Sequence, residues 1–108
     1  GDRVVWRQMM MGGHNTEAYE ELIPEGADDW KSSIGQNQYV YTIEEPGLYM
    51  YKCTPHEALG MLGVLIVGDS KPANLDAVLS HELTQGGARK RFVQKTLVPA
   101  LREKGWVE

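Results

Sequence analysis

The chain has 108 residues, 42% hydrophobic and 24% charged, with a formal net charge of −4, which describes one globular domain with room for a core and excludes disorder. No apolar run reaches the length of a membrane span, and no basic start followed by an apolar stretch marks a signal peptide, so a cytosolic protein or the mature form of an exported one is expected. Residues 1–70 hold four basic and eleven acidic side chains and residues 71–108 hold seven and four; an acidic body with a basic tail argues against nucleic acid and fits docking to a protein.

The first two-thirds read as β. Asp2 to Arg7 alternates, with Val4 and Trp6 on one side and Val5 on the other. Residues 12–37 contain much loop, with turns at Gly12-Gly13 and Ile23-Pro24-Glu25-Gly26 and room for one helical turn around Glu17 to Leu22. Gln38 to Glu44 alternates again, setting Tyr39, Tyr41 and Ile43 against Val40 and Thr42. Glu45-Pro46-Gly47 is a turn, because proline presets φ and glycine accepts a positive one. Leu48 to Cys53 is then a strand with Leu48 and Met50 opposite Tyr49 and Tyr51, and Leu62 to Val67 has the continuous apolar character of a buried strand. Short strands separated by turns predict a sandwich or Greek-key barrel.

Beyond Gly68 the period changes. Lys71-Pro72-Ala73-Asn74 is a linker, with Asn74 expected to cap a helix that sets Leu75, Val78, Leu79 and Leu83 at helical spacing. Gly86-Gly87 ends that helix. A second begins near Ala88, with Phe92, Val93, Thr96, Leu97, Ala100 and Leu101 on one face and Pro99 placed to kink it. Arg89, Lys90, Lys95 and Arg102 are assigned to the opposite, outward faces. The organisation expected is a β-sandwich over residues 1–70 and a helical pair over residues 71–108 packed against it.

The chemistry concentrates in Cys53-Thr54-Pro55-His56-Glu57-Ala58-Leu59-Gly60-Met61, with His14 upstream. Two imidazoles, a thiolate and a thioether are the donors of a blue-copper site, a trigonal His/Cys/His plane with a weak axial Met. Sulfur donors hold Cu(I) and imidazoles accept Cu(II), so one geometry serves both oxidation states. A lone cysteine is ordinarily a small buried hydrophobe and a lone Met a gap filler; the ordered spacing favours His14, Cys53, His56 and Met61 as a ligand set. Zinc suits such nitrogen and sulfur donors too, but a long axial Met is a poor zinc ligand. Three consecutive methionines, Met9-Met10-Met11, do not converge in a strand and read as core packing and rim contact. His81 has no Cys, Met or His at helical spacing and reads as a surface residue, and Trp6, Trp30 and Trp106 as packing residues.

Gly26-Ala27, Trp30-Lys31-Ser32, Pro46-Gly47-Leu48-Tyr49, Lys52-Cys53-Thr54-Pro55-His56, Gly60-Met61 and Pro72-Ala73-Asn74-Leu75 together resemble the pseudoazurins, bacterial cupredoxins. The resemblance implies a mainly β, Greek-key cupredoxin sandwich with two C-terminal helices and one type 1 copper ion (Cu(I)/Cu(II)), located in the periplasm. It implies single-electron shuttling to or from a respiratory redox protein such as a copper nitrite reductase or a cytochrome. Asn15 resembles the family residue whose backbone N–H donates to the cysteine sulfur, and its side chain can reach the Thr54 hydroxyl. Pro55 stiffens the loop. His56, Glu57, Ala58 and Leu59 fall on the expected docking surface, with the His56 ring edge exposed.

Departures accompany the likeness. The family's domain opens with a further strand pair before the Gly-Asp turn, and on this reading that pair is missing. The family rings its exposed histidine with lysines, whereas Glu57 follows His56 here and Glu17 lies near His14. Catalysis by this chain is not expected. Lys52 and Thr54 flank Cys53 where a multicopper oxidase needs histidines, and a dinuclear copper site needs a second cysteine. An electron-donor module of a larger reductase and a periplasmic copper-binding or storage protein are the alternatives.

Overall fold

The computed structural model describes residues 1–8 and 13–108. Among the described residues, five strands form two antiparallel sheets. Strand β1 (Arg3–Arg7) pairs with β3 (Gln38–Thr42), with Val5 opposite Val40. Strand β4 (Gly47–Lys52) lies between β5 (Leu62–Val67) and the two-residue β2 (Glu17–Ala18). The strand at Glu17–Ala18 was not legible in the sequence; it is too short to show a period, and a 3-10 turn follows at Glu20–Leu22. The Met9-Met10-Met11 run lies outside the described residues.

The alternation along β4 divides the interior in two. Tyr49 and Tyr51 face the β1–β3 sheet and join Trp6, Trp30, Tyr39 and Tyr41 in an aromatic core, with Trp30 and Tyr41 ring centroids 4.4 Å apart. Leu48 and Met50 face the other way, into an aliphatic core shared with the helical segment. Residues 1–70 and 71–108 therefore bury their apolar surface in one another. The tryptophans pack as expected, Trp106 against the aliphatic core. Strand β5 differs from the fully buried strand its composition predicts: it is half-buried throughout. Its residues are apolar because both faces are covered, Val64 and Ile66 by the helices and Leu65 and Val67 by the aromatic core, yet among the described residues it pairs only with β4.

Helix α1 spans Leu75–Leu83, α2 Gly87–Phe92 and α3 Val98–Glu103, with a π turn at Val93–Leu97 joining the last two. Asn74 does not cap α1 with its side chain; it reaches β4 instead, accepting from Leu48 N at 3.0 Å and donating to Leu48 O at 2.9 Å. Pro99 is accommodated without a break. A proline lacks the N–H an α-helix needs, and the wider preceding turn absorbs this. That turn also sets Val93, Leu97 and Leu101 on the buried face at a spacing of four, which rotates Thr96 out to solvent, against the α-helical expectation. Arg89 is a further correction: it faces inward and pairs with Glu82, which lies on the buried stripe of α1 with Leu75 and Val78.

Candidate metal centre

Cys53 follows the last residue of β4, still extended, and is 3% exposed. The chain then turns through a 3-10 segment, Thr54–Leu59, with Pro55 at its start, where a missing N–H costs nothing. Gly60 closes it at φ 89°, a left-handed conformation that glycine adopts freely. Three backbone bonds fasten the return: Gly60 N to Glu57 O at 2.9 Å, Met61 N to His56 O at 3.3 Å and Cys53 N to Met61 O at 2.9 Å. His14 enters from a separate loop, its N–H donating to Gln8 Oε1 at 3.1 Å.

The structure brings His14, Cys53 and His56 together, one donor atom of each lying within 4.8 Å of the others. Cys53 Sγ is 3.7 Å from His14 Nδ1 and 3.4 Å from His56 Nδ1, and the two Nδ1 atoms are 3.1 Å apart. A thiol and two imidazoles aimed at one point, with both histidines half-buried, fit a metal with nitrogen and sulfur preference. Met61 is 44% exposed and lines a cleft together with His14.

Around these residues the two loops are tied. Asn15 Nδ2 donates to Thr54 Oγ1 at 2.8 Å and to Ser32 O at 3.3 Å, while Thr54 N donates to Asn15 Oδ1 at 2.7 Å. The Thr54 hydroxyl in turn donates a hydrogen bond to Glu17 Oε1 at 2.6 Å. Sequence reasoning did not assign Glu17 this contact, which depends on β2 laying it beside Lys52. The acidic charge near the histidines is matched locally. Glu17 lies 3.8 Å from Lys52 and 3.9 Å from Lys31, and Glu57 lies 3.7 Å from Lys52. Pro55, Ala58 and Leu59 are exposed beside His56, Leu59 at 82%. His81 lies at the surface with its side chain 37% exposed, its ring 3.3 Å from Glu82 and 3.9 Å from Glu21.

The sequence profile of copper binding proteins of the plastocyanin/azurin family matches residues 1–68. The chain belongs to that family. It is 47% identical over 79 residues to the pseudoazurin of Paracoccus pantotrophus, covering 73% of this chain and 52% of that protein. It is 38% identical over 85 residues to the pseudoazurin of Methylorubrum extorquens, covering 76% of this chain and 56% of that one. The crystal structure of pseudoazurin from Methylobacterium extorquens AM1 superposes with a TM-score of 0.79 at 29% identity, over 93% of this chain and 77% of that one. The chain thus spans about half the length of the curated relatives it matches. The fold is a cupredoxin sandwich with C-terminal helices, as the resemblance implied, and the family's cofactor is copper.

Proposed function

We propose that this chain is an electron carrier and not an enzyme, with His14, Cys53, His56 and Met61 as the ligands of one type 1 copper ion. The observation that supports this best is the meeting of the Cys53 thiol with the His14 and His56 imidazoles within 4.8 Å. When bound, copper supplies a one-electron Cu(I)/Cu(II) couple. The chain's own residues do the rest. The Cys53 sulfur is shielded from water, and its thiolate is the form that binds metal. Asn15 and Thr54 hold the two ligand loops in register, which keeps the donors in place whichever charge the site carries. Met61, following the closing turn at Gly60, would supply the thioether donor.

His56, half-buried on a loop flanked by exposed Pro55, Ala58 and Leu59, is the exit for electrons. A small apolar patch of this kind supports brief docking, with Glu57 at its rim. The partner is a redox protein, a copper nitrite reductase or a cytochrome, and the compartment is the periplasm. Docking chemistry favours a partner whose patch is apolar and not strongly acidic, since the body carries a net charge of the same sign.

The test is addition of Cu(II) to the metal-free protein, beside Cys53→Ser. An intense visible band present in the parent and absent from the variant is expected, as thiolate-to-copper charge transfer requires. Stoichiometric metal uptake without colour would move the assignment to storage or to zinc.

A further inference from the structure

Beyond its backbone bonds, the ligand loop is fastened on its outer side by a run of side chains that ends in the C-terminal helices. Glu57, adjacent to His56, accepts a hydrogen bond from the Tyr19 hydroxyl, and Lys52 Nζ stands 3.7 Å from the same carboxylate. Tyr19 is buried, and the Arg89 guanidinium lies over its ring, 4.1 Å from the centroid. Arg89 in turn donates from both Nε and Nη2 to Glu82, whose side chain is fully buried.

Each link needs the next. A carboxylate in the aliphatic core is tolerated only with a cation directly against it. Arg89 satisfies Glu82 with its planar fork while its Cζ lies over the phenol ring. With the ring held from behind, the Tyr19 hydroxyl has a fixed position from which to reach Glu57. The alternative, an apolar residue at position 82, would fill the core equally well but leave Arg89 unaimed. Thr54 ties the start of the loop to Asn15 and Glu17, and the loop lies against α2. Residues 58–61 are exposed and contribute little packing, so Glu57 is its outer anchor, complementing Asn15 on the inner side.

We propose that Tyr19, Arg89 and Glu82 are positioning residues for the metal centre, fixing the His56 loop through Glu57. The inference rests on reading His56 as a ligand. Arg89 and Glu82 lie beyond residues 1–68, the stretch matched by the copper-binding profile, whereas Tyr19 and Glu57 lie within it, so the run joins the sandwich to the helical segment. Its effect is to limit how far the imidazole moves between oxidation states.

The test uses Tyr19→Phe, Glu57→Ala, Glu57→Gln and the pair Arg89→Met with Glu82→Gln, which removes the cation and the buried charge together. In the metal-free protein, amide hydrogen exchange at Gly60 and Met61 is compared with that at Val78 in α1. Tyr19→Phe, Glu57→Ala and the pair are each expected to speed Gly60 and Met61 by about tenfold while Val78 keeps its rate. Glu57→Gln retains an acceptor for the hydroxyl and is expected to stay near the parent. In the copper-loaded protein, Tyr19→Phe is expected to slow electron self-exchange and shift the charge-transfer spectrum. Unchanged exchange at Gly60 and Met61 in Tyr19→Phe and the pair would overturn the proposal, whether or not copper binds. Faster loop exchange in a protein that takes up no copper would retain the loop anchor and reject the metal reading.

Discussion

Asn15 joins, through three hydrogen bonds, the segments that present His14, Cys53 and the Ser32 carbonyl. Its amide is suited to this because one end accepts and the other donates twice. Asn15→Ala leaves the Thr54 N–H without its partner in a half-buried place. The expected cost is about 1–3 kcal/mol in the metal-free protein, read by denaturant unfolding. A loss well below that would mean that Thr54 and Ser32 find other partners. Glu17 is the neighbouring case. Its carboxylate accepts the Thr54 hydroxyl while facing Lys31 and Lys52, so an acidic residue close to the site serves as a bracket as well as a surface charge.

At the level of elements, the short strand β2 pairs with only Lys52 and Tyr51 of β4, which leaves the opposite end of that edge to be satisfied by other means. The Asn74 side chain does so, bonding both the N–H and the C=O of Leu48 as a neighbouring strand would. The same residue begins α1, so the contact also sets where that helix docks. Asn74→Ala is expected to destabilise the fold by about 1–3 kcal/mol, since Leu48 is fully buried and its amide would lose its partner. Thermal unfolding measures the loss; a midpoint equal to the parent's would show that the helix docks through its leucines alone. The π turn before Pro99 belongs to this scale too. It lets one helical segment contain a proline and still present Val93, Leu97 and Leu101 to the core.

For the whole molecule, three layers result: a two-stranded sheet, a three-stranded sheet and the helices, with an aromatic core in one gap and an aliphatic core in the other. The buried phenols make this arrangement sensitive to alkali. Burial, reinforced by neighbouring Tyr49 and Asp28, pushes the Tyr41 phenol up to about 12. Burial raises Tyr19 and Tyr49 as well, Tyr19 further through its bond to Glu57. In the unfolded chain a phenol ionises near pH 10. The neutral folded form is therefore fully favoured below that pH, and its stability is lost as pH rises through the folded values. For Tyr41 alone the gap is worth roughly 3 kcal/mol. Phenolate absorbance from these three residues is expected to appear together with loss of native structure above pH 10. Their gradual ionisation at pH 10 in an intact fold would contradict the packing described.

The sequence by itself determined what depends on near neighbours. Period-two alternation marked β1, β3 and β4, because a strand in a layered fold must be apolar on each covered face, and Cys53, His56 and Met61 stood out as candidate ligands because one loop presents all of them. His14 became a candidate only because the motif called for a second imidazole, and the structure brings it beside Cys53 and His56. Tertiary structure alone decided the contacts between residues whose types ordinarily face water. Glu82 sits on the apolar stripe of α1, a signal visible in the spacing, but that Arg89 would turn inward to meet it, cover Tyr19 and so reach Glu57 depends on three segments meeting. The same holds for Asn74, which had a good local reason to cap its helix and a better one to complete β4. Local pattern records which side chains must avoid water; it does not record which polar groups will find each other once the layers close, and that pairing is settled by the cost of leaving any of them buried alone.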